Sequence, residues 1–138
     1  MITEDFVTFE LAKLLKEKGF DEYGMYFYTL EDEGCEGYKS NRTLREFAHN
    51  SHPDLKDRAV SCPTLQMAKK WLKVVHNIGI FPSTYTFSSA DGSEDYHPYG
   101  CAVIDLKTHE LLTNNIFPRG TEEDTVEEAI KFCLKNLI

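Results

Sequence analysis

Cys62 is the side chain best placed for chemistry, because it stands beside Pro63 at the start of the amphipathic segment "SCPTLQMAKKWLKVVHN". A helix N-terminus favours negative charge and lowers the pKa of a thiol, which would make Cys62 a nucleophile or a metal ligand. A nucleophilic cysteine also needs a nearby base. His76 cannot be that base, because it lies about 20 Å further along the same helix at 1.5 Å per residue. A base would have to be His49, His52, His97 or His109, brought close by folding, and no cysteine-hydrolase motif supports any of them. We therefore expect Cys62 to be a helix-start residue that residues 31–60 partly cover.

Four residues in or beside the least regular part of the chain have side chains that bind zinc. They are Cys35, His49, His52 and Cys62, in the pattern C-x13-H-x2-H-x9-C. Zinc organises such regions, but structural sites usually contain cysteines that lie close together in sequence, and these two are isolated. Unrelated surface histidines are the simpler interpretation, so we expect no cofactor. The carboxylates of "DGSED" around Asp91 lack EF-hand spacing and are expected to form a solvated turn.

The composition indicates one acidic domain without a nucleic-acid or membrane partner. The 138 residues are 41% hydrophobic, which is enough for a core without disulfides. A net charge of -8 repels phosphate, and the longest basic run is Lys69–Lys70. The chain shows neither a signal peptide nor the roughly 20 apolar residues that span a bilayer, and its four cysteines form no C-x-x-C motif, so we expect a cytoplasmic location. No nucleotide-binding, serine-hydrolase or zinc-protease motif occurs.

The N-terminal part, residues 1–60, predicts a helix, a strand and an irregular segment. The helix "FELAKLLKEK" follows Thr8, an expected N-cap, and ends at Gly19. The aromatic run "MYFYTL" predicts a strand. The rest of this part is irregular, with one short helix expected at "TLRE", which has capping-box spacing.

Residues 63–138 predict the element order α-β-β-β-α. The three strands are expected at "STYTFSS", "CAVIDLK" and "LLTNN", and the first two form a hairpin with a long tip. Two helices flank them, and their expected apolar faces are Leu65, Ala68, Leu72 and Val75 in the first and Val126, Ile130, Cys133, Leu134 and Leu137 in the last. A capping box of Thr125 and Glu128 is expected to start the last helix. The sequence therefore predicts a single α+β domain, with an antiparallel sheet of three to four strands and its helices packed on one face.

This order of elements resembles the double-stranded-RNA-binding domain, and the resemblance implies that topology. Those domains hold phosphates with a basic cluster at the start of their final helix. This chain has "TEEDTVEE" there, with five acidic residues and no basic one. RNA binding is therefore not expected.

The tip of the predicted hairpin, "SEDYHPYG", contains three aromatic rings beside a proline. Aromatic side chains on a constrained loop provide a large contact area at low entropic cost. Tyr96, His97 and Tyr99 are therefore candidate contacts for a partner protein. The alternative is that these rings fold back over the neighbouring strands as a small satellite cluster.

Three segments resemble a group of small uncharacterised proteins of gut Bacteroidetes and their phages and prophages. They are "FELAKLLKEKGFDE", "CPTLQMAKKWLKVVHNIGI" and "TVEEAIKFCLKNLI". The resemblance implies a mobile-element or phage context and supplies no activity or site residue. We expect a small soluble, non-enzymatic accessory or protein-interaction domain with an unidentified protein partner. The alternative is a metal- or cysteine-dependent enzyme that uses the scattered Cys and His residues.

Overall fold

The computed structural model describes residues 4–22, 26–29, 49–51, 59–84, 87–88, 95–96, 98–117 and 120–138. These residues form helices and antiparallel strands, which confirms the predicted α+β class. The chain divides into two compact units, Met1–Ala68 with Ile138 and Lys69–Leu137. The single domain stays a prediction. The short helix expected at "TLRE" and the acidic turn around Asp91 lie outside the described residues.

Helix α1 (Phe9–Glu17) begins and ends where its sequence signals predict. Thr8 has extended backbone geometry, and its hydroxyl accepts a hydrogen bond from the backbone N–H of Leu11 at 3.3 Å. Gly19 lies just beyond the helix with φ of +95°, a conformation that glycine adopts without a steric penalty. Leu11 and Leu15 are fully buried, so the apolar side of α1 contributes to the core of the first unit.

Strands β1 (Phe27–Thr29) and β2 (Ala59–Ser61) pair antiparallel in the first unit. The aromatic run correctly predicts β1, whereas β2 lies in the segment that was expected to be irregular. The hydroxyl of Tyr28 donates a hydrogen bond to the carbonyl oxygen of Val7 at 2.7 Å, and the ammonium group of Lys16 donates one to Ala59 at 3.0 Å. These contacts join the small sheet to α1 and the segment before it.

Helix α2 (Leu65–His76) contains the boundary between the two units. Leu65, Ala68 and Leu72 are buried as predicted, but Val75 is 50% exposed. Trp71, which lies beside these residues on the helix, is buried, with 6% of its surface exposed. Val75 belongs to the last turn, and the helix ends directly after it.

The second unit is built on a three-stranded antiparallel sheet with a small two-stranded ribbon inserted in it. In chain order the strands are β3 (Ile78–Thr84), β4 (Phe87–Ser88), β5 (Asp95–Tyr96), β6 (Tyr99–Asp105) and β7 (Leu111–Phe117). The main sheet has the order β3-β6-β7, and β4 pairs with β5. The predicted sheet of three strands and the α-β-β-β-α order are therefore confirmed.

Strand β3 begins five residues before the segment that was predicted for it. Pro82 lies inside the strand. Because proline has no backbone N–H to donate to a neighbouring strand, its presence in a sequence argues against a strand. An edge strand tolerates proline where that N–H would face away from its partner, and β3 forms an edge of the three-stranded sheet.

Helix α3 (Glu122–Asn136) packs on one face of this sheet. The contact is apolar, with buried Val126, Ile130, Cys133 and Leu134 on the helix and Ile80, Cys101 and Val103 on the strands. Two details of the prediction are wrong. Thr121 and Asp124 form the capping box instead of Thr125 and Glu128, and Leu137 is exposed because it follows the last helical turn.

Candidate functional site

Cys62 is almost completely buried, with 2% of its surface exposed. Its backbone N–H donates a hydrogen bond to the carbonyl oxygen of Tyr26 at 2.9 Å, and its sulfur lies 3.7 Å from the carbonyl oxygen of Val7. The partial cover predicted for Cys62 is therefore wrong, because the residue is almost completely buried. A thiol enclosed in this way is not exposed to a substrate in solution.

Of the four zinc candidates, the structure describes His49 and Cys62. Cys35 and His52 lie outside the described residues, so the complete set stays a prediction. Within the described ranges, no three His, Cys, Asp or Glu side chains come together as a metal site requires. His49 contacts Asp21, with 2.9 Å between ring Nδ1 and carboxylate Oδ1. Such a carboxylate often orients a metal-binding histidine, but here Ser51 shares the contact.

Asp21, His49 and Ser51 form a hydrogen-bonded cluster at the surface of the first unit. Ser51 donates its backbone N–H to Oδ1 of Asp21 at 2.7 Å and its hydroxyl to Oδ2 at 2.5 Å. The same hydroxyl oxygen lies 2.9 Å from Nδ1 of His49. Because a carboxylate only accepts hydrogen bonds, Nδ1 carries the proton that faces Asp21.

This cluster contains the residue types of a serine hydrolase but not their arrangement. In a catalytic triad the carboxylate contacts one ring nitrogen and the serine hydroxyl contacts the other, so that a proton can leave the hydroxyl. Here both contact Nδ1, and the hydroxyl proton points to Asp21. The arrangement fixes the turn at residues 49–51 against the chain that follows α1.

The electrostatics of Asp21 agree with this structural role. Burial on its own raises the pKa of the Asp21 carboxyl, but the hydrogen bonds from Ser51 and His49 and the charge of His49 together outweigh it. The net pKa lies below its ordinary value of 3.8. Asp21 therefore stays ionised at neutral pH and acts as an acceptor.

Tyr96 and Tyr99, two of the three aromatic contact candidates, belong to different strands. Tyr99 is half-buried at the start of β6, paired in register with Thr84 and Phe117. Tyr96 belongs to β5, and its side chain lies outside the described part, as does all of His97. Pro98 between them is fully buried. Their role as partner contacts stays a prediction, with Tyr99 placed in the main sheet.

The face of the main sheet opposite α3 carries a group of apolar residues, and we call it the outer face. Gly79 lies on the outer face. A Cβ atom added at Gly79 would be 2.6 Å from the Phe81 ring and 2.9 Å from the Leu106 side chain. Phe81 and Leu106 therefore occupy the space that the missing Gly79 side chain leaves open. The Phe81 ring is nevertheless 51% exposed.

Strand pairing extends the outer face across β6 and β7. Gly79 pairs with Ile104, and Ile104 pairs with Leu111, which is 56% exposed. Ala102 pairs with Phe81 in the neighbouring row. The outer face thus includes the apolar residues Phe81, Ala102, Ile104, Leu106 and Leu111, and exposed Asn114 and Ser83 are polar positions on the same face.

Comparisons with models of protein families, with curated proteins and with solved structures give no match. In the part of the chain that the structure describes, no helix combines the length and the apolar character needed to cross a bilayer.

Sequence reasoning missed the outer face for a local reason. Phe81 lies between Gly79 and Pro82 in a segment without clear alternation, so it was not assigned to a strand. Leu111 was assigned to a strand, but the register shift between Val103 and Ile104 decides which face it joins. The available signal was the presence of large apolar residues in "GIF" (residues 79–81) and "LLT" (residues 111–113). These segments lie on either side of β6, which has apolar residues on both of its faces.

Proposed function

We propose that this protein is a small non-enzymatic interaction domain that binds a partner protein through the outer face of its main sheet. The observation that carries the proposal is the exposure of Phe81 and Leu111 on the face opposite the one that α3 covers. Exposed apolar surface of this kind marks interaction sites in water-soluble proteins. The resemblance to proteins of gut Bacteroidetes and their phages supports a cytoplasmic, mobile-element context.

The occupant that fits the outer face is an amphipathic helix of the partner. The sheet is three strands wide, so its outermost strands are about 10 Å apart, and a helix with its side chains is about as wide. Helix α3 covers the opposite face of the same sheet in this way. The net charge of -8 favours a partner helix with basic residues on its rim.

The charge distribution supports a protein partner over a nucleic acid. The first turn of α3 carries Glu122, Glu123 and Asp124, all exposed, at the place where a double-stranded-RNA-binding domain needs basic residues. The alternative of an enzyme has weaker support. Cys62 is buried. In the Asp21–His49–Ser51 cluster, the carboxylate and the hydroxyl both contact Nδ1 of the histidine ring, which is not the arrangement of a catalytic triad.

Site-specific crosslinking tests the proposal. A photoreactive phenylalanine analogue replaces Phe81 in cells, and the matched control places it at exposed Glu123, on the helix at the opposite face. We expect the position-81 analogue to crosslink to one protein, at a segment with apolar residues at helical spacing. The purified partner should bind the unmodified chain directly.

Binding of that partner is then measured with paired surface variants. Phe81→Ser with Leu111→Ser should weaken binding by about tenfold or more, because exposed aromatic and aliphatic anchors dominate such contacts. Val74→Ser removes an equally apolar residue that is 69% exposed outside the outer face, and it should leave binding unchanged. Equal crosslinking from positions 81 and 123, or equal loss in both variants, would refute the proposal.

A further inference from the structure

Helix α2 presents positive charge at the surface of an acidic chain. Its residues include Lys69, Lys70 and Lys73 and no aspartate or glutamate, whereas α1 and α3 both contain acidic residues. The whole chain has a net charge of -8. Lys70 and Lys73 are exposed, and in the part of the chain that the structure describes neither ammonium group has a carboxylate within ion-pair distance. These two charges are therefore open to an anionic ligand.

Exposed apolar side chains accompany the two lysines. Val74 is 69% exposed and Val75 is 50% exposed. Lys73 follows Lys70 by three residues and Val74 follows it by four, so these three side chains are neighbours on one side of α2. We call Lys70, Lys73, Val74 and Val75 the α2 patch. It combines positive charge with apolar surface inside two helical turns.

The size of the α2 patch favours a helix of a partner protein over a larger anionic surface. Residues 70–75 span only about 8 Å along the helix axis at 1.5 Å per residue. An anionic membrane or a nucleic acid extends beyond this length, so it would also face the excess of acidic residues on the rest of the chain, which repels it. A partner helix packs along α2 at about 8–10 Å between the two axes and contacts the patch alone.

We infer that the α2 patch is a docking site for an acidic amphipathic helix of a partner protein. The partner helix places apolar side chains, three and four residues apart, against Val74 and Val75. Glutamate or aspartate side chains beside that apolar stripe lie opposite Lys70 and Lys73, because complementary charges fix the orientation of two packed helices. Val74 lies outside the outer face, so this site is separate from it and takes a ligand of opposite charge.

Titration of the ¹⁵N-labelled full chain with a synthetic helical peptide tests this inference. The peptide has about 20 residues, enough to form a helix on its own, with leucines at helical spacing and glutamates flanking them. We expect amide shift changes centred on residues 70–75 of α2. A control peptide of the same composition has its leucines distributed around the helix. It should bind at least about fivefold more weakly, because it has no apolar stripe.

Substitutions in the α2 patch identify the groups that hold the peptide. Lys70→Glu with Lys73→Glu should weaken binding by about tenfold, because two attractions become repulsions. The matched control, Lys13→Glu with Lys107→Glu, makes the same change in net charge at exposed positions elsewhere. At physiological salt it should weaken binding by less than about twofold, because charges beyond the Debye length are screened. Val74→Ser should weaken binding by about threefold or more, because it removes apolar contact.

Reversal of the peptide charge separates local from overall electrostatics. A peptide with lysine in place of glutamate should bind the variant with both α2 lysines reversed more tightly than it binds the charge-matched control variant. If the reversed variant fails to fold, Lys70→Gln with Lys73→Gln gives the same comparison with a smaller loss. Phe81→Ser with Leu111→Ser should leave affinity for the acidic peptide unchanged, so this result and the test of the outer face can fail independently.

Other occupants of the α2 patch would give different results. Equal losses in the α2 variant and its charge-matched control, shift changes centred outside α2, or no binding would overturn the inference. Sedimentation with vesicles of phosphatidylcholine and phosphatidylserine that depends on Lys70 and Lys73 would assign the patch to a membrane instead. Shift changes in α2 that grow with protein concentration, in the absence of peptide, would show that a second copy of the chain occupies it.

Discussion

The backbone N–H of Ser61 donates a hydrogen bond to the side-chain oxygen of Asn50 at 2.8 Å. The amide nitrogen of Asn50 in turn donates to the carbonyl oxygen of Phe20 at 2.7 Å. Asn50 is buried, so this one side chain joins the turn at residues 49–51 to β2 and to the segment that follows α1. The hydroxyl of Ser61, by contrast, is buried without a hydrogen-bond partner among the described residues.

Asn50→Ala should lower the free energy of unfolding by about 2 to 3 kcal/mol, because it removes the acceptor of the buried Ser61 N–H and the amide that donates to the carbonyl oxygen of Phe20. Ser61→Ala is the matched control at the other end of the same contact. It keeps the backbone N–H and removes an unpaired hydroxyl, so we expect a change within about 0.5 kcal/mol or a small gain. Urea unfolding of both variants checks this, and equal losses would contradict the described role of Asn50.

Asp21 should make stability depend on pH on the acid side. Its folded-state pKa lies below the unfolded value of 3.8, so its contribution is present above that value and is lost as the pH falls through the folded-state pKa. The difference in melting temperature between wild type and Asp21→Asn should therefore be larger near pH 7 than near pH 2. Glu110→Gln, at an exposed position, is the control. A difference that stays constant across this range would contradict the prediction.

The first turn of α3 shows what local sequence can and cannot decide. The segment "TEEDTVEE" contains two overlapping capping patterns, Thr121 with Asp124 and Thr125 with Glu128. In the structure Thr125 is fully buried, and its hydroxyl donates to the carbonyl oxygen of Thr121 at 3.1 Å, inside the helix. The choice between the two patterns thus depends on which threonine the sheet covers, which is a tertiary contact.

The same distinction explains the rest of the fold prediction. The ends of α1 follow from Thr8 and Gly19, because a cap and a left-handed glycine act within a few residues. Strand β2 has three residues, which are too few to reveal an alternation of apolar and polar side chains in the sequence. The bridge formed by Asn50 and the outer face around Phe81 arise from residues far apart in sequence, so spacing alone could not reveal them.

Single substitutions can distinguish the two capping boxes. Asp124→Ala removes the carboxylate that accepts from the backbone N–H of Thr121 at 3.2 Å, and it should cost about 0.5 to 2 kcal/mol. Glu128→Ala removes the acid of the other pattern and should change stability by less than about 0.5 kcal/mol. Thermal unfolding monitored by circular dichroism compares the two. A larger loss for Glu128→Ala would place the helix start at Thr125.

The described cysteines should resist alkylation in the folded protein. Cys62, Cys101 and Cys133 are free and buried. Burial raises the pKa of Cys101 to about 11 and that of Cys133 to about 12, from an ordinary value of 9.0. The reactive thiolate of these two is therefore scarce at neutral pH, and access to all three thiols requires the structure to open.

Iodoacetamide labelling in a Cys35→Ser background, followed by mass spectrometry, measures this protection at each thiol. We expect labelling near pH 8 to be more than about a hundredfold slower in the native protein than in denaturing urea, because reaction must wait for rare opening. Stability should also fall as the pH rises above 9.0 toward the folded-state pKa values, since the unfolded chain loses its thiol protons first. Rapid native labelling confined to Cys62 would contradict its burial and would revive a catalytic role for that residue.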